Sequence, residues 1–368
     1  MKLICTQKNL KKGLSVVGRV ASKNTHLPIL ENVLIESKEG VLKLTSTNLD
    51  IGVSCIVAAK IEKEGSFTVP ASLLNSYIGL QSGDKVEIEV EDSILHVVCG
   101  DSSTHIKGIE AHDFPHMPQI NGGVSFSIQS NTLRNIIQKV VFSIKSDDNR
   151  PEISGLFLKI ENSKLSLVGT DSYRLSEYIY NLEEQNNTQT EIIIPLKTIQ
   201  EVQRILPEEN TVVFITIADN QILFKTGDIE LLSRLIEGKY PDYQPIIPTE
   251  SNIVCVVDSE KFASIIKTAS LFSKPGINDI RISLLGAQNE LIITSTNNTV
   301  GENISKMQAK IKGGDVDIVF NYRYILDVLP HLESDEVVLF LSNNTTAVII
   351  RGKEDEKNFL YLVMPIRQ

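Results

Sequence analysis

Three segments of the chain carry one short pattern: residues 44–48 read LTSTN, residues 167–171 read LVGTD and residues 293–297 read ITSTN. The threonine of this pattern recurs after 123 residues and again after 126. Repeats in solenoids and propellers are roughly 20–50 residues long, so a period of this length is that of a whole domain. The sequence therefore predicts three similar domains in a row, each large enough to bury a core of its own.

The segments around this pattern keep the same spacing. A short strand-like segment follows each copy, and an aromatic-proline pair follows two of them: FTVP at 67–70, IIIP at 192–195, DIVF at 317–320, Phe114-Pro115 and Tyr240-Pro241. Proline, glycine and polar residues interrupt the pattern near residues 119–123 and 247–250, which marks two joints. We therefore expect the three domains at residues 1–120, 121–248 and 249–368.

Each repeat has the same predicted secondary structure. An amphipathic helix opens it, most clearly at residues 133–144, where apolar side chains recur every three or four positions. Short strands with alternating apolar residues follow, and a second helix begins at Pro70, Pro195 or Asn321, residue types that suit a helix start. Two helices and several antiparallel strands per repeat predict an α+β domain with its helices on one side of a sheet.

The composition is that of an ordinary globular protein: 368 residues, 42% hydrophobic, 22% charged and no tryptophan. The N-terminus lacks the apolar run of a signal peptide, and no segment has the roughly 20 apolar residues of a membrane helix. We therefore expect a cytoplasmic protein without membrane contact. Its four cysteines are too far apart for a zinc or redox motif, so we interpret them as reduced and mostly buried.

The charge is unevenly distributed along the chain. A net charge of −10 argues against a nucleic-acid-binding protein, because phosphate contacts require lysine and arginine. The six predicted helices, however, together carry +11, which leaves −21 for the rest of the chain. If the helices line one surface, that surface is basic on an acidic body. The competing interpretation is that lysine and arginine are simply good helix formers on a solvated face.

Several longer motifs resemble one known family over the whole chain. They are TDSYRL at 170–175, GKYPDY at 238–243, FNYRYILDVL at 320–329, VMPIR at 363–367 and THLPIL at 25–30. In this order, across three repeats of matching length, they resemble the bacterial DNA polymerase III β sliding clamps. The resemblance implies two helices on the inside and sheets on the outside of each domain. It also implies that two three-domain subunits close head to tail into a six-domain ring around duplex DNA.

The resemblance implies a protein that slides on DNA without reading its sequence. Diffuse attraction to phosphates suits sliding, because base-specific contacts would hold the protein at one place. The basic side chains expected to face the DNA are Lys8, Lys11, Lys12, Arg19, Lys23, Arg134, Lys139, Lys145, Arg150, Lys197, Arg204 and Lys267.

The family also has a pocket for short hydrophobic peptides between the second and third domains. Peptides from the replicative polymerase α subunit, the clamp loader, and repair and translesion polymerases bind there. The matching positions in this chain are Ile153, Thr170, Ser172, Tyr173, Arg174, Leu175, Pro241, Pro245, Ile246, Ile277, Asn321, Tyr324, Leu362, Val363, Met364, Pro365, Ile366 and Arg367. Apolar and aromatic walls with few polar groups are what a peptide groove requires.

This chain departs from the family at several of these positions. Ser172-Tyr173 stands where many members have Gly-His, Pro245 where some have a basic residue, and Gln368 where an apolar residue often ends the chain. Pro151-Glu152 stands where some members have an aromatic pair in a DNA-facing loop. The resemblance further implies a homodimer contact at Leu271 and Phe272, with Ile106 on the other subunit.

Enzymatic alternatives have little support in the sequence. His112 and His116 are four residues apart, but Pro115 between them disfavours a helical metal site. Asp147-Asp148 is best interpreted as a solvated loop, and the chain contains neither a P-loop nor a Gly-x-Ser-x-Gly motif. We therefore expect no catalytic site, no cofactor and no metal. The alternative is a three-domain DNA-processing enzyme, or an inactive accessory DNA-binding subunit, that uses the same basic helices.

Overall fold

The computed structural model describes residues 1–21, 27–120, 122–147, 149–183, 189–353 and 358–367. Among the positions singled out above, Lys23, Asp148 and Gln368 lie outside the described residues, as do residues 25–26 of the THLPIL motif.

Within the described residues, the first repeat has nine strands and two helices. In chain order they are β1 (Lys2–Thr6), α1 (Gln7–Val17), β2 (Asn32–Lys38), β3 (Val41–Thr47), β4 (Ile51–Val57), β5 (Ala59–Lys63), β6 (Gly65–Pro70), α2 (Ala71–Leu80), β7 (Lys85–Glu91), β8 (Ile94–Cys99) and β9 (Ser102–Lys107).

Within the described residues, the second repeat follows the same order with one strand fewer in its first half. It consists of β10 (Val124–Gln129), α3 (Ser130–Val141), β11 (Gly155–Glu161), β12 (Lys164–Thr170), β13 (Arg174–Asn181), β14 (Thr190–Pro195), α4 (Leu196–Ile205), β15 (Val212–Ala218), β16 (Gln221–Thr226) and β17 (Ile229–Arg234).

The third repeat returns to the order of the first. It consists of β18 (Ile253–Asp258), α5 (Ser259–Ser270), β19 (Asp279–Leu285), β20 (Glu290–Asn297), β21 (Gly301–Gln308), β22 (Lys310–Lys312), β23 (Val316–Asn321), α6 (Tyr322–Val328), β24 (Glu336–Leu341), β25 (Val348–Gly352) and β26 (Phe359–Val363). Short 3-10 turns connect some elements, at Pro28–Glu31, Ala111–Asp113, Pro151–Ile153, Gln244–Ile246, Gly286–Gln288 and Leu329–His331. The threefold repeat of the sequence is thus a threefold repeat of structure.

Polar side chains cap three of the helices, and one of these caps is Asn321, where the sequence predicts a helix start. Thr6 accepts a hydrogen bond from the Asn9 amide at 3.2 Å and so caps α1, and Asp258 does the same for α5 through the Lys261 amide at 2.8 Å. Asn321 caps α6 by accepting from the Arg323 amide. Each cap satisfies an amide that the first helical turn leaves without a partner.

The contacts divide the chain into two compact units, and each unit contains part of the second repeat. Unit 1 comprises Met1–Arg134 and Lys197–Leu235, and unit 2 comprises Asn135–Leu196 and Ile236–Gln368. Unit 1 contains a five-stranded sheet, β5-β1-β7-β8-β9, and an eight-stranded sheet, β10-β15-β16-β17-β4-β3-β2-β6. Unit 2 contains a nine-stranded sheet, β14-β11-β12-β13-β26-β25-β24-β18-β22, and a four-stranded sheet, β21-β20-β19-β23.

The two large sheets each combine strands from two consecutive repeats. In unit 1, β4 of the first repeat pairs antiparallel with β17 of the second, and Gly52 lies opposite Leu232. In unit 2, β13 of the second repeat pairs with β26 of the third, and Leu175 lies opposite Leu362. Backbone hydrogen bonds therefore cross each repeat boundary, which explains why compact units and repeats differ.

Unit 2 has apolar cores on both faces of its large sheet. The first core surrounds the helices and includes Phe262 and Tyr361. The second, on the opposite face, lies beneath the segment that enters the third repeat, where the ring of Tyr240 stacks on Phe157 at 4.4 Å between centroids. Tyr243, from the same segment, donates a hydrogen bond of 2.5 Å to the buried Glu177 carboxylate. This second core adjoins the candidate pocket described below.

All four cysteines are buried free thiols, as the sequence predicts. Burial raises the pKa of Cys5 and Cys255 to about 12 and that of Cys55 to about 11, so these thiols stay protonated at neutral pH. No helix among the described residues is long and apolar enough to cross a membrane.

Candidate partner pocket, basic surface and subunit contact

A tight loop at residues 170–174 forms one side of the candidate pocket. The Asp171 carboxylate accepts hydrogen bonds from the amides of Tyr173 (3.0 Å) and Arg174 (3.1 Å), and the Thr170 hydroxyl accepts from the Ser172 amide (3.1 Å). These bonds hold Ser172 at φ +76°, in the left-handed region where a residue with a side chain is uncommon. The loop projects Tyr173 outwards with 62% of its surface exposed.

The side chain of Arg174 supports the pocket from behind. Its guanidinium donates to the Asp171 carboxylate at 3.0 Å, to Asp327 at 2.6 Å and to the Phe142 carbonyl at 2.8 Å. It also lies 4.7 Å from the centre of the Tyr324 ring, a cation–π contact. Arg174 is therefore a nearly buried, fully engaged cation that fixes Tyr324, and it presents little free charge to a ligand.

Asp327 and Phe142 are functional neighbours that the sequence analysis missed. Asp327 is 153 residues from Arg174, and Phe142, 32 residues away, contributes its backbone carbonyl and a ring whose centre lies 5.7 Å from the guanidinium, so no local pattern marks either one. The one available signal is that Asp327 lies within the FNYRYILDVL motif, on the helix that also carries Tyr324.

The C-terminal segment is anchored on both sides of the pocket. After β26 ends at Val363, the Met364 amide donates to the Tyr173 carbonyl and the Ile366 amide donates to the Val319 carbonyl, both at 2.7 Å. The buried Tyr361 hydroxyl donates to the Tyr324 carbonyl at 2.7 Å. Residues 364–367 are thus a docked tail that follows the last strand and forms one pocket wall.

These elements enclose an open cavity of about 480 Å³ within unit 2, a volume typical of small-ligand sites. Its walls are mainly apolar, with Ile277 51% exposed at its edge. The lining residues are Ser172, Tyr173, Ile277, Asn321, Tyr324, Met364, Pro365, Ile366 and Arg367. All nine are among the positions that the resemblance assigns to the partner pocket.

The other assigned pocket residues lie around this cavity or away from it. Ile153, Leu175 and Leu362 are buried in the second core. Met364 packs against this core and also lines the cavity. Pro241, Pro245 and Ile246 are exposed on the segment that covers this core, and Thr170 shapes the loop. Val363 is fully buried in the core around the helices, so its side chain does not line the cavity, and its assignment to the pocket needs correction.

Most of the basic side chains expected to face DNA are exposed. They are Lys8, Lys11, Lys12, Arg19, Lys145, Arg150, Lys197, Arg204 and Lys267, while Lys23 is outside the described residues. Some of them make local contacts: Arg150 donates to the Ser172 hydroxyl at 2.8 Å, and Arg204 pairs with Glu201.

Two of the expected DNA-facing cations are engaged elsewhere. Arg134 donates to the carbonyls of Leu206 and Pro207, which follow α4, at 3.0 and 2.6 Å. The side chain of Lys139 is only 12% exposed and pairs with Glu333 at 2.7 Å. Both side chains stabilise the fold through long-range partners, so we exclude them from the basic surface.

The expected subunit-contact residues differ in exposure. Leu271 directly follows α5 and is 72% exposed, whereas Phe272 is half-buried near Gly301. Ile106 lies on β9, the edge strand of the five-stranded sheet, with its side chain 4% exposed. Leu271 is thus accessible to a second subunit, whereas Ile106 is covered within its own chain.

The structure offers little for a metal site. Among the described residues, no group of three or more His, Cys, Asp or Glu side chains could hold a metal ion. His112 lies near Glu110 and Asp113 at an exposed turn, and His116 is exposed in the following loop.

Comparison with known proteins matches all three repeats, in order, to one family. Models of the N-terminal, central and C-terminal domains of the DNA polymerase III beta subunit match residues 1–118, 127–242 and 244–367. The Beta sliding clamp of Bacillus subtilis is 28% identical, and the alignment covers 100% of both chains. That of Pseudomonas aeruginosa is 29% identical over 97% of both. The crystal structure of the DNA polymerase III subunit beta from Pseudomonas aeruginosa superposes with a TM-score of 0.96, at 28% identity and with full coverage of both chains.

The repeats, the shared sheets and the pocket thus define a three-domain clamp protein. The chain belongs to the DNA polymerase III β subunit family, the β sliding clamps. This confirms the resemblance and the predicted fold class. Members of this family are processivity factors without catalytic activity, which confirms the prediction that the protein is not an enzyme.

Proposed function

We propose that two copies of this clamp close head to tail around duplex DNA and tether the replicative polymerase and other DNA-processing proteins to it. The observation that carries this proposal is the strand pairing at the two internal repeat boundaries. At both boundaries, the strand after the threonine pattern pairs with the last strand of the next repeat, as β4 does with β17 and β13 with β26.

The corresponding strands of the third and first repeats have no such partner within the described residues. β21 follows the threonine pattern of the third repeat and lies at an edge of the four-stranded sheet. β9 is the last strand of the first repeat and lies at an edge of the five-stranded sheet. If β21 of one copy pairs with β9 of a second copy, the third boundary repeats the first two. Two such pairings join six domains in a closed ring, which leaves neither of these two edges unpaired.

The apolar contact residues fit this pairing. At both internal boundaries, the first residue of one strand lies opposite the fifth residue of its partner: Ile51 of β4 opposite Ser233 of β17, and Arg174 of β13 opposite Val363 of β26. Gly301 is the first residue of β21 and Ile106 is the fifth residue of β9. The same register therefore places Gly301 opposite Ile106 of the second copy. The Phe272 ring lies 3.9 Å from the position that a side chain on Gly301 would occupy. Ile106 would therefore meet Phe272 across a glycine, beside the exposed Leu271. This supports the assignment of all three residues to the subunit contact.

The proposed DNA contact is diffuse and independent of sequence. Exposed lysines and arginines on α1, α4 and α5 and after α3 carry positive charge in an acidic chain, which attracts phosphates without reading bases. Retention would then depend on the closed ring and not on affinity. The domains would span residues 1–120, 121–248 and 249–368. Because the DNA that the clamp would encircle is chromosomal, the protein would act in the cytoplasm.

The proposed partner site is the cavity of unit 2. It would accept short hydrophobic peptides from the polymerase α subunit, the clamp loader, and repair and translesion polymerases. Its open apolar wall, exposed Tyr173 and adaptable Met364 suit such ligands. The polar groups at its edges, including Asn321 and Arg367, would orient the peptide backbone.

A topological experiment tests the function as a whole. Clamp loaded on a nicked circular duplex should remain bound at a salt concentration that removes ordinary phosphate-binding proteins, and should leave when a nuclease linearises the circle. Equal salt-dependent loss from circular and linear DNA would contradict encirclement. A loaded variant with the ring closed by a disulfide serves as the control, because it should stay even longer on the circle and still leave the linear product.

A further inference from the structure

We propose that His105 of one subunit pairs with Glu302 of the next on the outer face of the subunit contact, and that ring closure therefore weakens as pH rises through the range in which histidine loses its charge. This inference rests on the head-to-tail ring of the proposed function. It adds the register of the contact and a titratable ion pair within it.

The register follows from the two internal boundaries. Gly52, Leu175 and Glu302 are equivalent, because each lies opposite the threonine of its own repeat, which is Thr47, Thr170 or Thr296. Leu232 and Leu362 are the fourth residues of the last strands β17 and β26, and they lie opposite Gly52 and Leu175. The fourth residue of β9 is His105. The repeat therefore places Glu302 opposite His105 of the second copy.

The two faces of each strand agree with this register. On β9, Ile106 faces the core while His105 is exposed. On β21, Glu302, Ile304 and Lys306 are exposed, and Met307 is buried. Residues directly opposite in an antiparallel pair share one face of the sheet, so exposed side chains meet exposed ones. The same register brings Lys306 opposite Asp101, which is a second complementary pair.

His105 already belongs to a row of polar side chains across its own sheet. Its ring meets that of His96 edge-on, with the centroids 4.4 Å apart. The next residues along this row are Glu89, opposite His96, and Lys2, which pairs with Glu89 at 3.1 Å. Lys107 is two residues along the same face of β9. Subunit contact would extend this row to Glu302, whose carboxylate accepts a weak hydrogen bond from Thr296 at 3.4 Å.

The charges in this row make the contact sensitive to pH. Histidine changes charge between about pH 5 and 8, whereas carboxylates and lysines ordinarily keep their charge over that range. A protonated His105 attracts the Glu302 carboxylate, and the neutral imidazole does not. Because the contact favours the protonated form, its stability is greatest at low pH and falls as pH rises. Lys107 and Lys306 preserve some attraction at high pH, so the ring should weaken without falling apart.

Dissociation and exchange of subunits measure the effect in the intact protein. At constant ionic strength, we expect the dissociation constant of the dimer to rise about three- to tenfold from pH 5.5 to pH 8, since each ring has two contacts of modest strength. Exchange between differently labelled dimers should speed up by a similar factor, and it remains measurable if the dimer is too tight to dissociate. His105→Asn and Glu302→Gln should each abolish the pH dependence, and the double variant should add nothing further.

A matched control separates this pair from other titrations. His112→Asn removes an exposed histidine of the same unit and should keep the wild-type pH dependence. The register has its own test, because Ser103→Cys with Ile304→Cys should form a disulfide between subunits. A stable dimer whose exchange is independent of pH, or whose pH dependence survives Glu302→Gln, would refute the ion pair alone. A protein that is monomeric at every pH would refute the proposed ring as well.

Discussion

Arg174 shapes the wall of the candidate pocket and presents little free charge to it. Its guanidinium joins Asp171 in the loop, Asp327 on α6 and the Phe142 carbonyl, and it lies against the Tyr324 ring. Asp327 is half exposed while Arg174 is nearly buried, so loss of Asp327 leaves a buried cation with fewer partners. The pocket wall depends on this group of contacts.

Asp327→Ala should weaken binding of a polymerase-derived peptide about two- to fivefold, because Tyr324 loses the support of a fixed Arg174. Fluorescence anisotropy of a labelled peptide measures the effect. Glu333→Gln, which removes a different ion pair of the same unit, should leave the affinity unchanged. Equal losses in both variants would mean that general destabilisation, and not the position of Arg174, is responsible.

Glu177 is a second residue whose environment makes a clear prediction. Burial raises the pKa of its carboxyl group, and the hydrogen bond from Tyr243 partly opposes that shift. A group with a raised pKa in the folded state contributes most stability below its unfolded pKa of about 4.5, and this contribution is lost as pH rises through the folded value. At neutral pH the protein therefore pays a desolvation cost for this carboxylate.

Glu177→Gln should raise the melting temperature at pH 7, because the amide still accepts from Tyr243 without the buried charge. The gain should be on the order of 1 kcal/mol or less and should shrink as pH falls towards 4.5, where the wild-type carboxyl is protonated. Calorimetry of both proteins across this range measures the difference. Tyr243→Phe, the control, removes the donor and should destabilise at neutral pH. A difference that grows on acidification would contradict the assigned sign.

At the level of elements, helix α1 carries the clearest basic surface. Lys8, Lys11 and Lys12 are exposed, whereas Leu10, Leu14 and Val17 are buried against the sheet. The side chains that could contact phosphates are thus separate from those that hold the helix in place.

Changing Lys8, Lys11 and Lys12 to glutamine should lower affinity for linear duplex at low salt and reduce the dependence of binding on salt, by up to about 0.9 in logarithmic slope per lost phosphate contact. The melting temperature should stay the same, since these side chains are solvated. Lys60→Gln with Lys63→Gln, on strand β5, is the matched control and should alter binding little. Arg134→Gln should instead lower stability, because it removes donors to the Leu206 and Pro207 carbonyls.

The tail after β26 is the element on which the pocket depends most. Removal of residues 364–368 deletes the Met364 and Ile366 amide bonds and one cavity wall, but leaves the last strand complete to Val363. Peptide binding should be lost, at a cost of a few kcal/mol, while circular dichroism and the dimer persist. An unfolded or monomeric truncated protein would show that the tail belongs to the core, and normal peptide binding would place the pocket elsewhere.

At the level of the whole molecule, the proposed ring would close through the pairing of the edge strands β21 and β9, beside the exposed Leu271. Light scattering should give about 82 kDa, twice the chain mass of 40.8 kDa. Leu271→Lys should shift the protein towards monomers by several kcal/mol, because a charge is buried without a partner at the contact. Leu49→Lys, at another exposed leucine of the chain, should leave the dimer intact. A dimer of unchanged strength in the Leu271 variant would move the contact to another surface.

Features that depend on neighbours along the chain can be predicted from the residues alone. The long repeat, the helix starts at Thr6, Asp258 and Asn321, and the alternating strands follow from local hydrogen bonding and from periods of about 3.6 and 2 residues. The family motifs contain eight of the nine residues that line the cavity, and Ile277 is the exception. These are patterns that a short window of sequence contains.

Contacts between distant groups, in contrast, become visible in the folded chain. The pairing of β4 with β17 and of β13 with β26 joins repeats across their boundaries, and no local pattern specifies it. The sequence also predicts that Arg134 and Lys139 are free basic residues, but in the structure Arg134 donates to carbonyls after α4 and Lys139 pairs with Glu333. Likewise, the sequence places Val363 in the pocket, but its side chain lies on the other face of the sheet, in the core around the helices. A side chain's charge and periodicity are local, but its burial and its partners are set by chain segments tens to hundreds of residues away.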